Sequence, residues 1–216
     1  MKIVITGHKT GLGEYVSDAM IAQGHTVNGY SRSTGYDIND PDVRDTILLE
    51  NLDADLFFNN AYGRMQNIEF DDMPNHWKRG ENGQLKLLEQ FCDAWKGRTD
   101  KYILHSGSKI VYKNIQKVKQ VKTYRIDKMD CTALIKTYTD IGLGPNICDF
   151  SMGMFDTPMA DVWPDYFIRG KVEDYGKTMV MFINNKESIW PKEVVFDNPG
   201  RVEFGPVELA KREGWL

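Results

Sequence analysis

The chain has 216 residues, 41% of them hydrophobic, and a formal net charge of −4, which fits one globular domain with a core of its own. This charge disfavours a nucleic-acid-binding protein, which is usually basic, and no apolar run approaches the ~20 residues of a membrane span. The three cysteines lie far apart without a nearby histidine, so we expect neither a disulfide nor a metal site. With no signal-peptide pattern at the N-terminus, these features predict a cytoplasmic protein.

The first thirteen residues predict a strand, a glycine-rich turn and the start of a helix. Residues 3–5 form an apolar β-branched run, as a buried parallel strand requires. Gly7, Gly11 and Gly13 follow at once, and apolar residues then recur at helical spacing. Such a turn lets backbone N–H groups at a helix N-terminus approach a phosphate. The alternative is a glycine-rich turn without a ligand in an ordinary α/β protein.

Strand-like and helix-like segments then alternate to the end of the chain. The expected strands are Thr26–Tyr30, a short one at Tyr36–Ile38, Asp55–Asn59, Lys101–His105, Ile147–Phe150 and Glu193–Phe196. The expected helices cover residues 40–52, 82–95, 123–141 and 172–183. This alternation predicts a single doubly wound α/β domain over residues 1–216, with about seven parallel strands and helices on both faces. In such sheets ligands bind beyond the carboxyl ends of the strands.

The end of the second predicted strand indicates which nucleotide would bind. Ser31 and Arg32 lie eighteen and nineteen residues after Gly13, where NAD-binding units usually carry an acidic residue for the ribose 2′-hydroxyl. An arginine suits the 2′-phosphate instead, so Arg32, with Lys9 as a second contact, favours NADP(H) over NAD(H). A solvated surface arginine is the alternative. Asp37, further along, either meets the adenine edge or caps a turn.

A tyrosine and a lysine follow the fifth predicted strand. Tyr124 and Lys128 are four residues apart, so they share one face of a helix. An ammonium beside a phenol favours the phenolate, which makes a proton donor and acceptor suited to carbonyl and alcohol chemistry. Either Ser106 or Ser108, just before this helix, could polarise the same carbonyl oxygen. A Tyr-x-x-x-Lys pair arises about once by chance in such a chain, so a plain surface pair is the alternative.

Together these segments resemble the short-chain dehydrogenase/reductase family over residues 2–158. The similar segments are Thr6-Gly7-x3-Gly11-x-Gly13, Asp37-Ile38, Asn59-Asn60-Ala61, Asn82, Tyr124-x3-Lys128 and Met152-Gly153-x3-Thr157-Pro158. Two departures stand out: Tyr62 intrudes before the glycine of an Asn-Asn-Ala-Gly pattern, and Met152 replaces a proline. Without the resemblance, Asn59 and Asn60 either close a turn or line a cleft. The resemblance implies a Rossmann fold, a nicotinamide cofactor and a homodimer or homotetramer built on helices 82–95 and 123–141.

The resemblance also implies a role for each site residue. Tyr124 would be the general acid/base, Lys128 would bind the nicotinamide ribose, and Asn82 would anchor a water beside Lys128. Ser108 would stabilise the oxyanion, and it is preferred to Ser106 because it lies just past the expected strand end. Cofactor contacts are expected at Gly7, Lys9, Thr10, Gly11, Leu12, Gly13, Ser31, Arg32, Asp37, Ile38, Asn60, Ala61, Tyr124, Lys128, Gly153 and Thr157.

These features predict an NADP(H)-preferring oxidoreductase that transfers hydride between the nicotinamide and a carbonyl or secondary alcohol of a small molecule. The alternative is a non-catalytic NAD(P)-binding sensor or scaffold protein with the same fold. Residues 158–192 are the expected substrate lid or helical segment. Its aromatic residues Trp163, Tyr166 and Phe167 would form either an apolar substrate wall or a subunit contact. We expect no metal, no nucleic acid and no membrane as a partner.

Overall fold

The computed structural model describes residues 1–62, 82–108, 111, 119–153 and 170–195. Within them the strands are β1 Lys2–Thr6, β2 Thr26–Tyr30, β3 Leu56–Asn59, β4 Tyr102–Ser108, β5 Asn146–Met152 and β6 Glu193–Val195. The α-helices are α1 Gly11–Ala22, α2 Pro41–Leu49, α3 Gly83–Ala94, α4 Lys119–Asp140 and α5 Val172–Asn184, and a short 3-10 helix covers Arg32–Thr34. Strands and helices therefore alternate as predicted.

All six strands are parallel and form one sheet in the order β2-β1-β3-β4-β5-β6. The chain reverses its direction of winding between β1 and β3, because β2 lies on one side of β1 and the later strands lie on the other. Such a switch point opens a crevice at the carboxyl ends of the two strands, where ligands bind in doubly wound folds. The predicted fold class is confirmed.

Helices cover both faces of the sheet, and each face has its own core. Alternate residues of a strand point to opposite faces, so Ile3 and Ile5 of β1 pack against α1 and α5, while Val4 packs against α2, α3 and α4. The first core includes Val16 of α1 and Met179 of α5. The second includes Ile47, Leu88, Phe91, Trp95, Cys131 and Ile135. The site described below lies at the edge of this second layer.

One predicted strand is absent from the part of the chain that the structure describes, and the strands predicted to end at His105 and Phe150 run further, to Ser108 and Met152. Tyr36–Ile38 forms no strand, because the Tyr36 N–H donates to the Ser31 carbonyl (3.0 Å) and the Asn39 N–H donates to Asp37 Oδ1 (3.0 Å), which closes two turns. The described residues therefore hold six strands and not about seven. Strand β4 continues three residues past His105, because it pairs with β5 as far as Ser108. Phe196, predicted in the last strand, lies outside the described residues.

The three cysteines form no disulfide among the described residues. Cys92, Cys131 and Cys148 are free thiols, and all three are buried. Burial raises the pKa of the Cys131 and Cys148 thiols to about 12, so they remain protonated and pack as small apolar side chains. Among the helices of the described ranges, none combines the length and the apolar character needed to span a bilayer.

Candidate active site

The turn between β1 and α1 depends on its glycines. Gly7 and Gly11 have φ angles of +72° and +60°, in the left-handed region that glycine adopts without strain. A Cβ on Gly13 would lie 2.2 Å from the Gly7 carbonyl oxygen, so only a glycine lets α1 start this close to the turn. Within the described residues, the Thr10 side chain at the N-cap of α1 caps no N–H group. Thr10 thus caps none of the first-turn N–H groups of α1, and uncapped N–H groups of this kind are what an anion site at a helix N-terminus requires.

Hydrogen bonds fasten this turn to the neighbouring strands. The Gly7 N–H donates to the Tyr30 carbonyl at the end of β2 (2.7 Å). On the other side, Thr6 Oγ1 accepts from the N–H groups of Asn60 and Ala61, both at 3.0 Å, and Asn60 Nδ2 donates to the Gly7 carbonyl (3.4 Å). The Asn60 amide therefore fastens the glycine turn after β1 to the end of β3.

The end of β2 lies against the same turn. The His8 ring packs on Gly29, where a Cβ would come within 2.4 Å of it, and His8 Nδ1 lies 3.3 Å from Ser31 Oγ. Burial lowers the pKa of His8, which favours the neutral ring in this contact. Arg32 follows directly and is exposed, as is Lys9 in the glycine turn. Both cations thus lie at the edge of the sheet where the 2′-phosphate contact was predicted.

Asp37 and Ile38 have structural roles at this edge. Asp37 Oδ1 accepts the Asn39 N–H (3.0 Å), which is the turn-capping role considered above. The Ile38 side chain is 4% exposed and belongs to the second core, and its carbonyl accepts from Arg44 Nη1 (2.8 Å). The Ile38 side chain is therefore committed to packing, so a cofactor contact at this residue would have to use its backbone.

Tyr124 and Lys128 lie side by side on α4, as their spacing predicts. The Lys128 Nζ atom is 5.6 Å from the centre of the Tyr124 ring. Lys128 is only 2% exposed, and its Nζ donates to the Ser106 carbonyl (2.7 Å) and to Gln84 Oε1 (2.8 Å). A buried ammonium needs such acceptors, because removing it from water is expensive. Strand β4 and helix α3 together hold the lysine beside the tyrosine.

The amide that contacts Lys128 belongs to Gln84 and not to Asn82. Asn82 is the N-cap of α3, and its Oδ1 accepts the Leu85 N–H (3.2 Å). Gln84 lies in the first turn of the same helix, where its Nε2 donates to the Asn59 carbonyl (3.2 Å) and the Asn59 Nδ2 donates to the Gln84 carbonyl (3.1 Å). Asn82 Nδ2 is buried without a hydrogen-bond partner among the described residues, so the predicted water contact at Asn82 keeps a free donor.

The two serines of β4 differ in how deeply they are buried. Ser106 is 6% exposed, and its Oγ donates toward the carbonyls of Asn59 (3.4 Å) and Asn60 (3.3 Å). Ser108 is the last residue of β4, not a residue past its end, and it is half-buried. Alternate strand residues share a face, so both serines point to the same side, with Ser108 nearer the open edge. Ser108 is thus the less buried of the two serines.

Tyr62, the residue that interrupts the Asn-Asn-Ala-Gly pattern, contacts Tyr124 directly. The two ring centres are 4.9 Å apart and the rings are nearly perpendicular, at 89°. Lys128 Nζ lies 5.4 Å from the centre of the Tyr62 ring. The Tyr62 hydroxyl donates to Asp127 Oδ2 (3.0 Å), and burial is the main cause that raises the pKa of Asp127 to about 6. No sequence pattern pointed to Tyr62 or Asp127 as site residues.

A neutral histidine lies behind the lysine. His105 is fully buried, and its Nδ1 is 3.2 Å from Asn59 Nδ2. Because an amide nitrogen is a donor, Nδ1 is assigned as the acceptor and Nε2 as the protonated nitrogen. Burial, followed by the charge of Lys128, lowers the pKa of His105 well below its usual value. The ring therefore adds no second positive charge beside Lys128.

A buried carboxyl on β5 is a further group that the sequence did not indicate. Asp149 Oδ2 accepts from Thr132 Oγ1 of α4 (2.7 Å), and burial raises the pKa of Asp149. A Cβ on Gly107 would lie 2.0 Å from Asp149 Oδ1. The glycine between Ser106 and Ser108 therefore makes room for this carboxyl, which links β4, β5 and α4 behind the site.

The remaining predicted contacts lie at or beyond the end of β5. Gly153 follows β5 at the carboxyl edge of the sheet and is half-buried. Thr157, with the aromatic residues Trp163, Tyr166 and Phe167 of the predicted lid, lies outside the described residues. The later part of the predicted lid segment is helix α5, where Gly176 packs so closely on α1 that a Cβ would lie 2.2 Å from the Tyr15 ring.

Solved structures share this fold at low sequence identity. A 3-alpha-hydroxysteroid dehydrogenase from Pseudomonas sp. B-0831, complexed with NADH, has a TM-score of 0.70 and 18% identity, covering 93% of this chain and 96% of that chain. An alcohol dehydrogenase from the archaeon Thermococcus sibiricus, complexed with 5-hydroxy-NADP, has a TM-score of 0.65 and 17% identity, with coverages of 93% and 99%. A short-chain dehydrogenase from Burkholderia cenocepacia, in complex with NADP, has a TM-score of 0.59 and 15% identity, with coverages of 90% and 95%.

No known protein-family model matches the sequence, and no curated protein sequence matches it. The structural likeness therefore shows the fold, which is that of solved short-chain dehydrogenases over nearly their whole length. A shared fold does not by itself carry an activity from one protein to another. What this chain does depends on its side chains at the switch point and beside Tyr124.

Proposed function

We propose that this protein is an NADP(H)-preferring oxidoreductase of the short-chain dehydrogenase/reductase type. It would transfer hydride between the nicotinamide and a carbonyl or secondary alcohol of a small molecule. The observation that carries this proposal is the placement of Tyr124 beside the buried ammonium of Lys128, 5.6 Å from ring centre to Nζ. The fold likeness to proteins complexed with NADH, NADP and 5-hydroxy-NADP supports a nicotinamide cofactor.

The residues at the switch point fit a dinucleotide. The uncapped first turn of α1 and the close approach of Gly7 to Gly13 suit a pyrophosphate. Lys9 and Arg32, exposed on the same edge, would hold the 2′-phosphate. The remaining contacts would come from Thr10, Gly11, Leu12, Ser31, Asp37, Ile38, Asn60, Ala61, Gly153 and Thr157. When bound, the nicotinamide ring supplies or accepts the hydride.

The protein side chains would transfer the proton and stabilise the negative charge that develops on the substrate oxygen. During reduction, Tyr124 would give its phenolic proton to the carbonyl oxygen as hydride reaches the carbon, and during oxidation it would take the proton back. Ser108 would donate a hydrogen bond to the same oxygen. Two of the three Lys128 N–H groups bond to Gln84 and the Ser106 carbonyl, which leaves the third for the ribose or the phenolate. Asn82 would anchor a water through its free Nδ2.

A second candidate function is a nucleotide-binding sensor or scaffold without turnover. The observation that favours it is the degree of closure around the lysine, since Lys128 is 2% exposed and the Tyr62 ring lies against it. A binding protein could keep such a packed cluster as structure alone. Turnover separates the two candidates, because both would bind the nucleotide.

The test is a screen of small aldehydes, ketones and alcohols with NADPH and NADP⁺, followed by Tyr124→Phe on any substrate found. We expect Tyr124→Phe to abolish turnover and to leave the affinity for NADPH unchanged, as measured by fluorescence. Turnover that survives in Tyr124→Phe would remove the tyrosine from the mechanism. NADPH binding without turnover on any compound would favour the sensor.

We also propose a homodimer or homotetramer formed through α3 and α4, located in a reducing compartment such as the cytoplasm. The two helices pack side by side on one face of the sheet, and α4 exposes Ile126 (41%) and Met129 (42%). The buried free thiols fit a reducing compartment. Light scattering of the wild type and of an Ile126→Lys/Met129→Lys double variant tests the contact, since the variant should be the smaller species.

A further inference from the structure

Tyr62 and Asp127 connect the loop after β3 to the helix that carries Tyr124. Tyr62 comes directly after Asn59-Asn60-Ala61, and its hydroxyl donates to Asp127 Oδ2 at 3.0 Å across 65 positions of sequence. Asp127 lies three residues after Tyr124, so the two share one helical face. The hydrogen bond therefore ties the cofactor side of the crevice to the face of α4 that holds the proposed acid/base.

The ring of Tyr62 contacts the ring of Tyr124. The two rings meet edge to face with centres 4.9 Å apart, a geometry in which the positive edge of one ring meets the negative face of the other. The Lys128 ammonium lies within 6 Å of both ring centres, at 5.4 Å from Tyr62 and 5.6 Å from Tyr124. Movement of the Tyr62 ring would thus change the packing and the field around Tyr124 and Lys128 together.

The groups that face Asp127 and Tyr62 determine the pKa of each residue. Asp127 is faced by the Tyr62 hydroxyl from the β3 loop and by Lys128 and Asp130 of its own helix. Burial first, and Asp130 after it, raise the pKa of Asp127, while the Tyr62 hydrogen bond and Lys128 lower it, with a result of about 6. Tyr62 faces Asp127, Tyr124 and Cys131, and burial raises its pKa far above neutrality. Tyr62 is therefore always the donor, and Asp127 is the group that changes charge.

We propose that Tyr62 and Asp127 are positioning residues, in which the ionised Asp127 carboxylate holds the Tyr62 ring against Tyr124 and so couples the reactivity of Tyr124 to the charge of Asp127. A phenol bonded to a carboxylate forms a stronger hydrogen bond than one bonded to a neutral acid. Protonation of Asp127 weakens this bond and loosens the ring that packs on Tyr124. The inference rests on the proposed function wherever turnover is the readout, because Tyr62 and Asp127 act through Tyr124.

The experiment compares two variants with a matched control. Tyr62→Phe keeps the ring and removes the hydroxyl, Asp127→Asn keeps an acceptor and removes the titration, and Asp130→Asn removes a neighbouring acidic charge on the same helix. For carbonyl reduction with NADPH from about pH 5 to about pH 9, the wild type should lose kcat below an apparent pKa of about 6. Asp130→Asn should keep this acid limb but move it to a lower pH, because Asp130 raises the pKa of Asp127. That acid limb should be absent in Tyr62→Phe and Asp127→Asn, and Tyr62→Phe should lower kcat about tenfold at neutral pH without changing NADPH affinity.

A second measurement works without turnover. With ¹³C-labelled tyrosine, the ring signal assigned by its loss in Tyr124→Phe should shift with an apparent pKa of about 6 in the wild type and stay constant in Asp127→Asn. If this shift appears and no substrate is turned over, the coupling stands and the enzymatic proposal fails. If Tyr124 proves essential for turnover while the acid limb and the shift persist in Asp127→Asn, the coupling is overturned and the enzymatic proposal stands.

Discussion

The Lys128 ammonium donates a 2.8 Å hydrogen bond to the side-chain oxygen of Gln84, which lies 44 positions earlier in the sequence. Both residues are buried, so the bond fixes the lysine at the junction of α3, β4 and α4. The acceptor matters because a buried charge without partners is strongly unfavourable. The position of Lys128 beside Tyr124 therefore depends on a residue of another helix.

Removing the Gln84 acceptor should lower both the free energy of unfolding and kcat. Gln84→Leu keeps the size of the side chain and leaves Lys128 with the Ser106 carbonyl alone, so we expect the free energy of unfolding to fall by about 1–3 kcal/mol. We expect kcat to fall at least tenfold, because small displacements of catalytic groups are costly. Denaturant unfolding and steady-state kinetics measure the two effects. Asn82→Ser, which keeps an N-cap residue, is the control for stability alone, and an equal loss of stability in it would contradict the role of Gln84 as the acceptor for Lys128.

The two serines of β4 should respond differently to truncation. Ser108→Ala should lower kcat by about 10²–10³, as expected for loss of a donor to the developing oxyanion. Ser106→Ala should instead lower stability by about 1 kcal/mol, because its hydroxyl contacts the carbonyls of Asn59 and Asn60. Kinetics and thermal unfolding of both variants give the answer. The opposite pattern would assign the oxyanion role to Ser106.

The cofactor preference should depend on Arg32. We expect the wild type to bind NADPH more tightly than NADH, and Arg32→Glu to weaken NADPH binding at least tenfold while NADH binding changes little. Lys9→Gln should show a smaller loss for NADPH alone. Fluorescence titration with both nucleotides measures these affinities. Equal affinities, or tighter NADH binding in the wild type, would remove the argument from Arg32.

The glycine turn should no longer bind the nucleotide when a methyl group is added at Gly13. In Gly13→Ala the new Cβ would lie 2.2 Å from the Gly7 carbonyl oxygen, so the turn or α1 has to move, and we expect NADPH binding to be lost. Gly24→Ala is the matched control, because Gly24 has a φ of +80° but no atom of the described residues lies within 4 Å of the added Cβ. It should cost about 1 kcal/mol of stability and leave binding intact. Normal binding by Gly13→Ala would mean that the turn does not hold the phosphate.

The raised pKa of Asp127 predicts how stability changes with pH. Its folded value of about 6 exceeds the usual 3.8, so the folded state takes up a proton that the unfolded state releases. The contribution of Asp127 to the free energy of unfolding is therefore largest below about pH 4, and it is lost as the pH rises through 6. Asp127→Asn should therefore raise the Tm by about 2 °C at pH 7.5, and the difference from the wild type should shrink toward zero near pH 4. Thermal unfolding at both pH values tests this, and a lower Tm for the variant at pH 7.5 would reverse the assigned direction.

Several elements of this protein follow from local sequence. The run at residues 3–5, the three glycines of the turn and the four-residue spacing of Tyr124 and Lys128 each express a local period or a local backbone requirement. These patterns predicted β1, the start of α1 and the shared face of α4, and the alternation of segments predicted the doubly wound sheet. The predicted helix over residues 40–52 begins in the same way, because Asp40 accepts the Asp42 N–H and Pro41 occupies the first position of α2.

The partners of those elements were decided by tertiary structure. Asn82 and Gln84 are two residues apart, and both are amides, yet only the packing of α3 on β3 determines that one caps the helix and the other meets Lys128. Strand β4 runs to Ser108 because β5 supplies ladder partners, not because of its own composition.

The contact of Tyr62 with Tyr124 and Asp127 likewise depends on tertiary structure and not on local sequence. Its hydrogen bond spans 65 positions, and no sequence period reports a contact at that distance. Local chemistry determines which strands and helices form and which residues share a face, since those depend on backbone geometry within a few residues. Burial and the close packing of distant segments determine which polar groups meet, because each buried donor or charge has to find an acceptor that the fold brings to it.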